Sequence, residues 1–370
     1  MKAIAVFQKK KKVELIDHPF PEIEKESQVK IKILEVGICG TDREICSFEY
    51  GTPPKGSEYL VIGHESLGEV VEVGKAVKKF RKGDLVVTMV RRPCSHENCL
   101  ACQADRQDFC YTDDFTERGI KEKHGFMTEF VVDDEKYMFK VPQHLRDVGV
   151  LIEPLTIAEK ALSQIWDVQE RLPWTSHSGK EMGRGRRAVV LGAGPVGLLG
   201  AMTLLNVGFE TYVYSRGSLT SPKALLSQFI GATYVSAEKD TLHDLCRRVG
   251  NIDVVYEAVG ASQLAFEIMK VLGTNGILAF TGVPGRKAPI QVDTDRLMRN
   301  LVLKNQAIFG TVNAGREAHE SAVKNLETFK EQWPRTVQSM ITGRFPIEDF
   351  HDLLLKPSSG IKNVIAFDGI

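Results

Sequence analysis

The chain has 370 residues, 48 basic and 48 acidic side chains and seven cysteines. That length predicts two domains, each able to fold without covalent staples, and an odd cysteine total suits a disulfide framework poorly. Balanced charge removes a general attraction to nucleic acid, no apolar run approaches the roughly 18 residues of a membrane span, and the opening MKAIAVFQKKKKVELIDHPFPEI lacks the form of a signal peptide. The expectation is a reduced cytoplasmic protein with neither nucleic acid nor membrane as partner.

In chain order, MKAIAVF, KKVELI, QVKIKILEVG, HESLGEVVEVG and GDLVVTMV read as short strands divided by Gly and Pro, with Lys9 to Lys12 a solvated turn. Within this β-rich region, VGICGTDREI carries Cys39, Thr41 and Asp42 in a glycine-bearing loop, and VIGHESLGEV carries His64 beside Glu65. Next comes CSHENCLACQADRQDFC, where Cys94, Cys99, Cys102 and Cys110 are separated by four, two and seven residues. Four thiolates so spaced can wrap one tetrahedral ion, and zinc suits soft sulfur where no redox change is needed. The repeated close spacing of an iron-sulfur ferredoxin is absent. His96 lies in the first gap and competes with Cys94 for the first ligand position. Four ligands close the shell, so this cluster predicts stability rather than chemistry.

FMTEFVV and YMFKVP add strands, and then the period changes. Glu153, in LIEPL, stands at the join between the two domains; from Pro154 on, LTIAEKALSQIWDVQ has apolar residues at helical spacing, and ERLPWTSHSGKEMGRGR reads as an exposed loop. Cys39, His64 and Glu153 come from three separate segments and are candidate ligands of a second zinc with an open position. Each also has an ordinary reading, the cysteine as core and the His-Glu pair as a surface hydrogen bond.

From Arg187 strands and helices alternate: RAVVLGAGPVGLLGAMTLLNVG, TYVYS, SPKALLSQFIG, TYVSA, HDLCRRV, IDVVYEAVG, QLAFEIMKVL, GILAFTG and AIFGTV. This order predicts a doubly wound parallel sheet over roughly 187–312. Gly192, Gly194 and Gly197 form G-x-G-x-x-G between strand and helix, which predicts a dinucleotide whose pyrophosphate meets the helix opening at Pro195 and Val196. At the end of the second strand, where an NAD site presents a carboxylate, stand Ser215 and Arg216. Arg216 suits a 2′-phosphate, so NADP is expected with NAD also accepted, and Ser218 and Lys223 lie near enough in sequence to assist. The tail holds a helix at AHESAVKNLETFKEQ and a final strand at NVIAF.

With CGTD, GHE, the cysteine lobe and GAGPVG, the chain resembles the zinc-containing medium-chain dehydrogenase/reductase superfamily over nearly its whole length. The stretches VRRPC, ADRQDFC, GFMTEF, EPLTIAEKAL and GTVNAGREAHESAV make it most similar to the archaeal-type glucose 1-dehydrogenases. The resemblance implies an α/β fold class: a Rossmann nucleotide domain plus a GroES-like β-rich catalytic domain. The catalytic domain would comprise 1–155 and 313–370, with a structural zinc lobe near 91–112. The segment 156–312 would hold a linking helix and the nucleotide domain, its core at 187–312. It implies a catalytic zinc on Cys39, His64 and Glu153 with Glu65 as an occasional ligand, and a structural zinc on Cys94, Cys99, Cys102 and Cys110, two per chain. Thr41 would relay the substrate proton. Glu117, Asn313 and, less directly, Glu159 would contact sugar hydroxyls, with Asn313 also at the coenzyme. The implied activity is oxidation of D-glucose at C1 to D-glucono-1,5-lactone with hydride transfer to NADP or NAD. The family has two residues between its first two cysteines, where this chain has four. A homo-oligomer is implied, tetramer before dimer. Alternatives are a dehydrogenase of another polyol or aldose, and a zinc-free quinone-reductase-like or non-catalytic relative.

Overall fold

The computed structural model describes residues 1–174, 181–285, 289–357 and 359–367. Of the loop expected over 170–186, residues 175–180 lie outside the described residues. No helix among the described residues is long and apolar enough to cross a membrane. The chain divides into two compact units, one of Met1–Thr156, Asn313–Lys330 and Val337–Ile370, the other of Ile157–Val312 and Glu331–Thr336.

The first unit is built on strands that alternate buried and half-exposed positions, as a sheet with one covered face requires. Its main sheet runs in the order Met138–Val141, Leu85–Thr88, Glu65–Val73, Gln28–Gly37, Lys362–Ala366, Ile341–Phe345, and Phe130–Asp134 also pairs with Gln28–Gly37. The C-terminal strand therefore enters the N-terminal sheet, antiparallel to Gln28–Gly37 with Val364 opposite Gly37. A second sheet joins Lys12–Asp17, Lys2–Phe7 and Leu60–Val61, the first two linked by the lysine turn. Ile4, Ile31, Ile33, Leu60, Ile62, Phe126 and Met127 fill the shared core, none more than 2% exposed.

A third sheet of Arg91–Arg92, Thr116–Arg118 and Glu122–Lys123 flanks the cysteine lobe. Two of its three buried arginines are held by Asp133, which accepts from Arg92 Nη2 at 2.5 Å and Arg118 Nε at 3.0 Å. Burial disfavours the charge of Asp133, but Arg118 and Arg92 outweigh it and hold the carboxyl down at about 2.

The second unit is a six-stranded parallel sheet in the order Thr233–Ser236, Glu210–Ser215, Arg187–Leu191, Val254–Glu257, Ile277–Phe280, Ala307–Gly310. Counted along the chain this is 3-2-1-4-5-6, the doubly wound order whose reversal beside the first strand marks the ligand crevice. Val189, Leu191, Val255, Leu278, Leu245 and Ile268 lie in its core, all fully buried.

Because the folded pKa of Asp133 is depressed, its contribution is present above the ordinary carboxylate pKa of 3.8 and is lost as pH falls toward about 2. Asp133→Asn leaves two buried guanidinium groups without their anion and should cost about 3–5 kcal/mol. Thermal unfolding from neutral to acid pH checks this, with the gap between variant and wild type narrowing below about pH 4. A constant gap counts against the assignment.

Candidate active site and metal centres

The segment Gly37 to Asp42 turns from strand to helix at Cys39. Cys39 caps the short helix Gly40–Cys46, and its backbone N–H donates to Asp42 Oδ2 at 2.9 Å, which closes a capping box. The box fixes the Cys39 thiol and the fully buried Asp42 carboxylate relative to each other. Thr41 Oγ1 lies 4.0 Å from Cys39 Sγ. His64 and Glu65 enter at the head of the strand Glu65–Val73, 6% and 1% exposed.

The ligand atoms of Cys39, His64 and Glu65 all lie within 4.8 Å of one another. The expected trio had Glu153 in place of Glu65. Glu153, in the first turn of the helix Ile152–Gln169, is outside that group but feels its field. Burial is the main force raising the Glu153 carboxyl, Glu65 and Asp42 add to it, His64 and Lys362 oppose it, and together they leave it at about 7. At His64, burial works against the charged form, yet Asp42 and then Cys39 raise its proton affinity well above the ordinary imidazole value. His64 Nδ1 stands 3.3 Å from Asp42 Oδ1, off hydrogen-bond alignment, and both atoms are buried without another partner. A thiol, an imidazole and a carboxylate converging beside such polar atoms are the donor set of an open zinc site.

Two members of this site were not singled out in the sequence as site residues. Asp42 backs His64, a role the neighbouring motif CGTD could have suggested. Lys362, 2% exposed, bonds Glu65 Oε2 and donates to the Ile38 carbonyl at 3.2 Å. Nothing local in the tail sequence marks it. Burial lowers the proton affinity of Lys362, but Glu65 and then Cys39 more than compensate and raise it.

In the lobe, Cys94, Cys99, Cys102 and Cys110 bring their sulfurs within 4.8 Å of one another. The separations Cys94–Cys102 and Cys99–Cys110 are 3.7 and 3.9 Å. Sulfurs at about 2.3 Å from a central zinc would be about 3.8 Å apart along a tetrahedral edge, so the four thiols fit the ion. His96 turns away, its Nε2 2.9 Å from Asp114 Oδ2.

Glu117 and Asn313, far apart in sequence, meet: Asn313 Nδ2 donates to Glu117 Oε1 at 2.9 Å, and Arg91 Nε donates to the same oxygen at 3.0 Å. Tyr50, 51% exposed and overlooked in the sequence, lies in the field of this pair; burial of part of its ring raises its hydroxyl, as does Glu117. Glu159, in the second unit, is 8% exposed and accepts from Thr203 Oγ1 at 3.4 Å.

At the dinucleotide motif, Gly192 has φ +101°, and a Cβ at Gly197 would fall 2.1 Å from the Gly192 carbonyl oxygen. Both positions exclude a side chain. A Cβ at Gly194 would meet nothing within 4 Å, which leaves open space before the helix Pro195–Asn206, whose Pro195 and Val196 form the first turn. Its first N–H groups lack intrahelical partners, so an anion fits there. Ser215 ends the second strand and Arg216 follows, exposed and without a carboxylate partner among the described residues. Tyr234 OH donates to the Arg216 carbonyl at 3.0 Å and Ser236 Oγ to that of Gly217 at 2.7 Å, which pins this turn from below.

Sheet order, glycine turn and thiol–imidazole–carboxylate cluster together define an NAD(P)-dependent oxidoreductase built like the alcohol dehydrogenases. The family described as glucose dehydrogenase C-terminus matches residues 146–367, and the alcohol dehydrogenase GroES-like domain matches 25–143. Glucose 1-dehydrogenase of Methanocella arvoryzae is 38% identical over 368 residues, 99% of each chain, and that of Metallosphaera sedula is 35% identical over 369 residues, 99% of this chain and 98% of its own. The solved glucose dehydrogenase of Haloferax mediterranei in complex with NADP, Zn and gluconolactone has a TM-score of 0.87 and 31% identity, with all of both chains covered. The chain belongs to the glucose dehydrogenase family of the medium-chain dehydrogenase/reductase superfamily.

Carboxylates behind a metal-binding histidine fix its tautomer, and their loss weakens metal binding by about 10–100-fold. Asp42→Asn is therefore expected to release metal from the Cys39–His64 site to a competing chelator while the four-thiol lobe keeps its own. Equal retention at both sites would show that Asp42 serves only the helix cap.

Proposed function

We propose that this chain is an NAD(P)-dependent glucose 1-dehydrogenase that oxidises D-glucose at C1 to D-glucono-1,5-lactone, with NADP preferred and NAD also used. The observation that carries the reading is the gathering of Cys39, His64 and Glu65 in a chain of this family. We assign one zinc to Cys39, His64 and a carboxylate drawn from Glu65 and Glu153, and a second to the four lobe cysteines. Zinc supplies a Lewis acid that eases departure of the C1 hydroxyl proton, and the nicotinamide accepts the hydride. Thr41, beside Cys39, is assigned to pass that proton toward solvent. Glu117 and Asn313 are assigned to sugar hydroxyls, because buried polar groups left unpaired penalise a sugar that lacks the matching hydroxyl. Glu159 already accepts from Thr203 and is left out of this set.

The same reading extends to assembly. The edge strand Ala307–Gly310 and the exposed Met298, Val302 and Leu303 support a homo-oligomer, and the order tetramer before dimer rests on the family resemblance alone.

An NAD(P)-linked panel of aldoses and polyols tests the substrate, with glucose expected to lead; a polyol with the higher kcat/KM would move the enzyme to another branch. Cys39→Ala should lose one of two zincs and its turnover yet titrate coenzyme normally, since the nucleotide turn is a separate structure. The coenzyme preference rests on Arg216, whose exposed guanidinium suits a 2′-phosphate where Ser215 offers no carboxylate. Arg216→Ala is expected to raise KM for NADP by about 10-fold or more, as for loss of a charged hydrogen bond, and to change KM for NAD little. An equal rise for both coenzymes sinks the preference.

A further inference from the structure

Arg91 and Glu117 stand directly opposite each other where Arg91–Arg92 runs antiparallel to Thr116–Arg118. Opposed charges on paired strands attract, but strands of two and three residues hold little register by themselves. The surroundings of the Arg91 guanidinium supply what is missing. It lies 3.8 Å over the centre of the Phe115 ring, and its Nη1 donates to the Asp108 carbonyl at 3.3 Å. Its Nε reaches Glu117 Oε1 at 3.0 Å. Ring, carbonyl and carboxylate thus fix three sides of one planar group, which an ammonium on a flexible stem could not satisfy together.

The consequence falls on Glu117. Arg91 Nε and Asn313 Nδ2 converge on the same oxygen, Oε1. Asn313 is itself constrained, with φ +60° and its Oδ1 accepting the Ala314 N–H at 2.8 Å. Glu117 Oε2 has no hydrogen bond among the described residues, and it is not one of the buried polar atoms left without a partner. One oxygen of a carboxylate that is 4% exposed is therefore consumed by the protein, while the other still meets solvent.

The geometry points to Arg91 as a positioning residue for substrate selection: it anchors Glu117 through Oε1 so that Oε2 faces, and accepts from, one hydroxyl of the sugar. This rests on the proposed sugar reading, and it makes Arg91 part of selectivity without contact with substrate. Asp108 lies two residues before Cys110, so the anchor also joins the carboxylate to the cysteine lobe.

Kinetics with glucose and a panel of monodeoxyglucoses test it. Wild type should reject one deoxy sugar, and Glu117→Gln should flatten that rejection. If it does not, the sugar role of Glu117 falls and the role of Arg91 with it. Arg91→Gln should flatten the same position and raise KM for glucose about 10-fold, the scale of one lost hydrogen bond, with a much smaller fall in kcat. Combined with Glu117→Gln it should add little, because both remove one contact. Arg91→Lys keeps the charge but loses the fork and should retain only part of the discrimination; it decides the matter should Arg91→Gln not fold. Discrimination retained in full by Arg91→Lys or Arg91→Gln, or losses that add in the double variant, overturns the inference and leaves the role of Glu117 standing.

Discussion

The first unit depends on a buried ion pair formed across a strand. Glu65 lies on the strand beside Gln28–Gly37, and Lys362 begins the strand on its other side. Gly37 stands opposite Glu65 on one side and opposite Val364, two residues past Lys362, on the other, so the pair crosses the central strand diagonally beside Gly37, where a Cβ would fall 2.2 Å from Glu65 Oε2. Only a residue without a side chain lets the two meet. Taking both charges out of water is expensive, and removing one partner would leave the other uncompensated at about 3–5 kcal/mol. The pair is thus poor evidence of stability and better evidence of register, since a C-terminal strand shifted by one residue would turn Lys362 to the opposite face.

Charge is crowded around the pair. Asp42, Glu65, Glu153 and the Cys39 thiol face one lysine and one histidine. Burial first, aided by Glu65 and Asp42 and opposed in part by His64 and Lys362, leaves Glu153 up at about 7, and Asp42 and then Cys39 raise the proton affinity of His64 against its burial. Such crowding of anionic donors is relieved by a divalent cation, which invites metal where the fold has already spent its desolvation cost. The lobe poses the opposite problem: four thiols near enough to share one ion lie in a segment whose helical elements have only four and three residues, where a bound metal would supply the order that apolar packing does not.

Much of the fold was legible because its signals are local. The glycine turn, the strand-helix alternation and the cysteine spacing each lie within a few tens of residues, and the periods of strand and helix carry their meaning without reference to the rest of the chain. Contacts that join distant segments were not legible from pattern. Lys362 meets Glu65 across 297 positions and Asn313 meets Glu117 across 196. A lone lysine before NVIAF has the same appearance whether it is solvated or buried on a carboxylate. Glu65 was named as an occasional ligand and Glu153 as a regular one because the family resemblance orders them so; His64 precedes the strand that Glu65 opens, so the alternation of a strand does not tell whether the two side chains converge. Arg91 and Arg92, within VRRPC, carry no local signal of the burial they have.

The cysteine lobe is where this difference matters most. Spacing alone assigns it to stability, since a closed shell leaves no place for substrate. Its contacts reach further. Arg106 pairs with Glu317 at 3.7 Å and Asp105 with Arg316 at 3.5 Å, at the opening of the helix Arg316–Gln332, and a Cβ at Gly315 would stand 2.9 Å from Asp108 Oδ1. The exposed ion pairs contribute little energy singly, but the close approach at Gly315 leaves no slack. The lobe therefore packs on the turn that presents Asn313 and, through the Asp108 carbonyl, holds the arginine that presents Glu117. Both polar groups of this pair thus rest, one through Arg91 and one through the turn at Gly315, on the segment Asp105 to Asp108 that lies between the third and fourth cysteines.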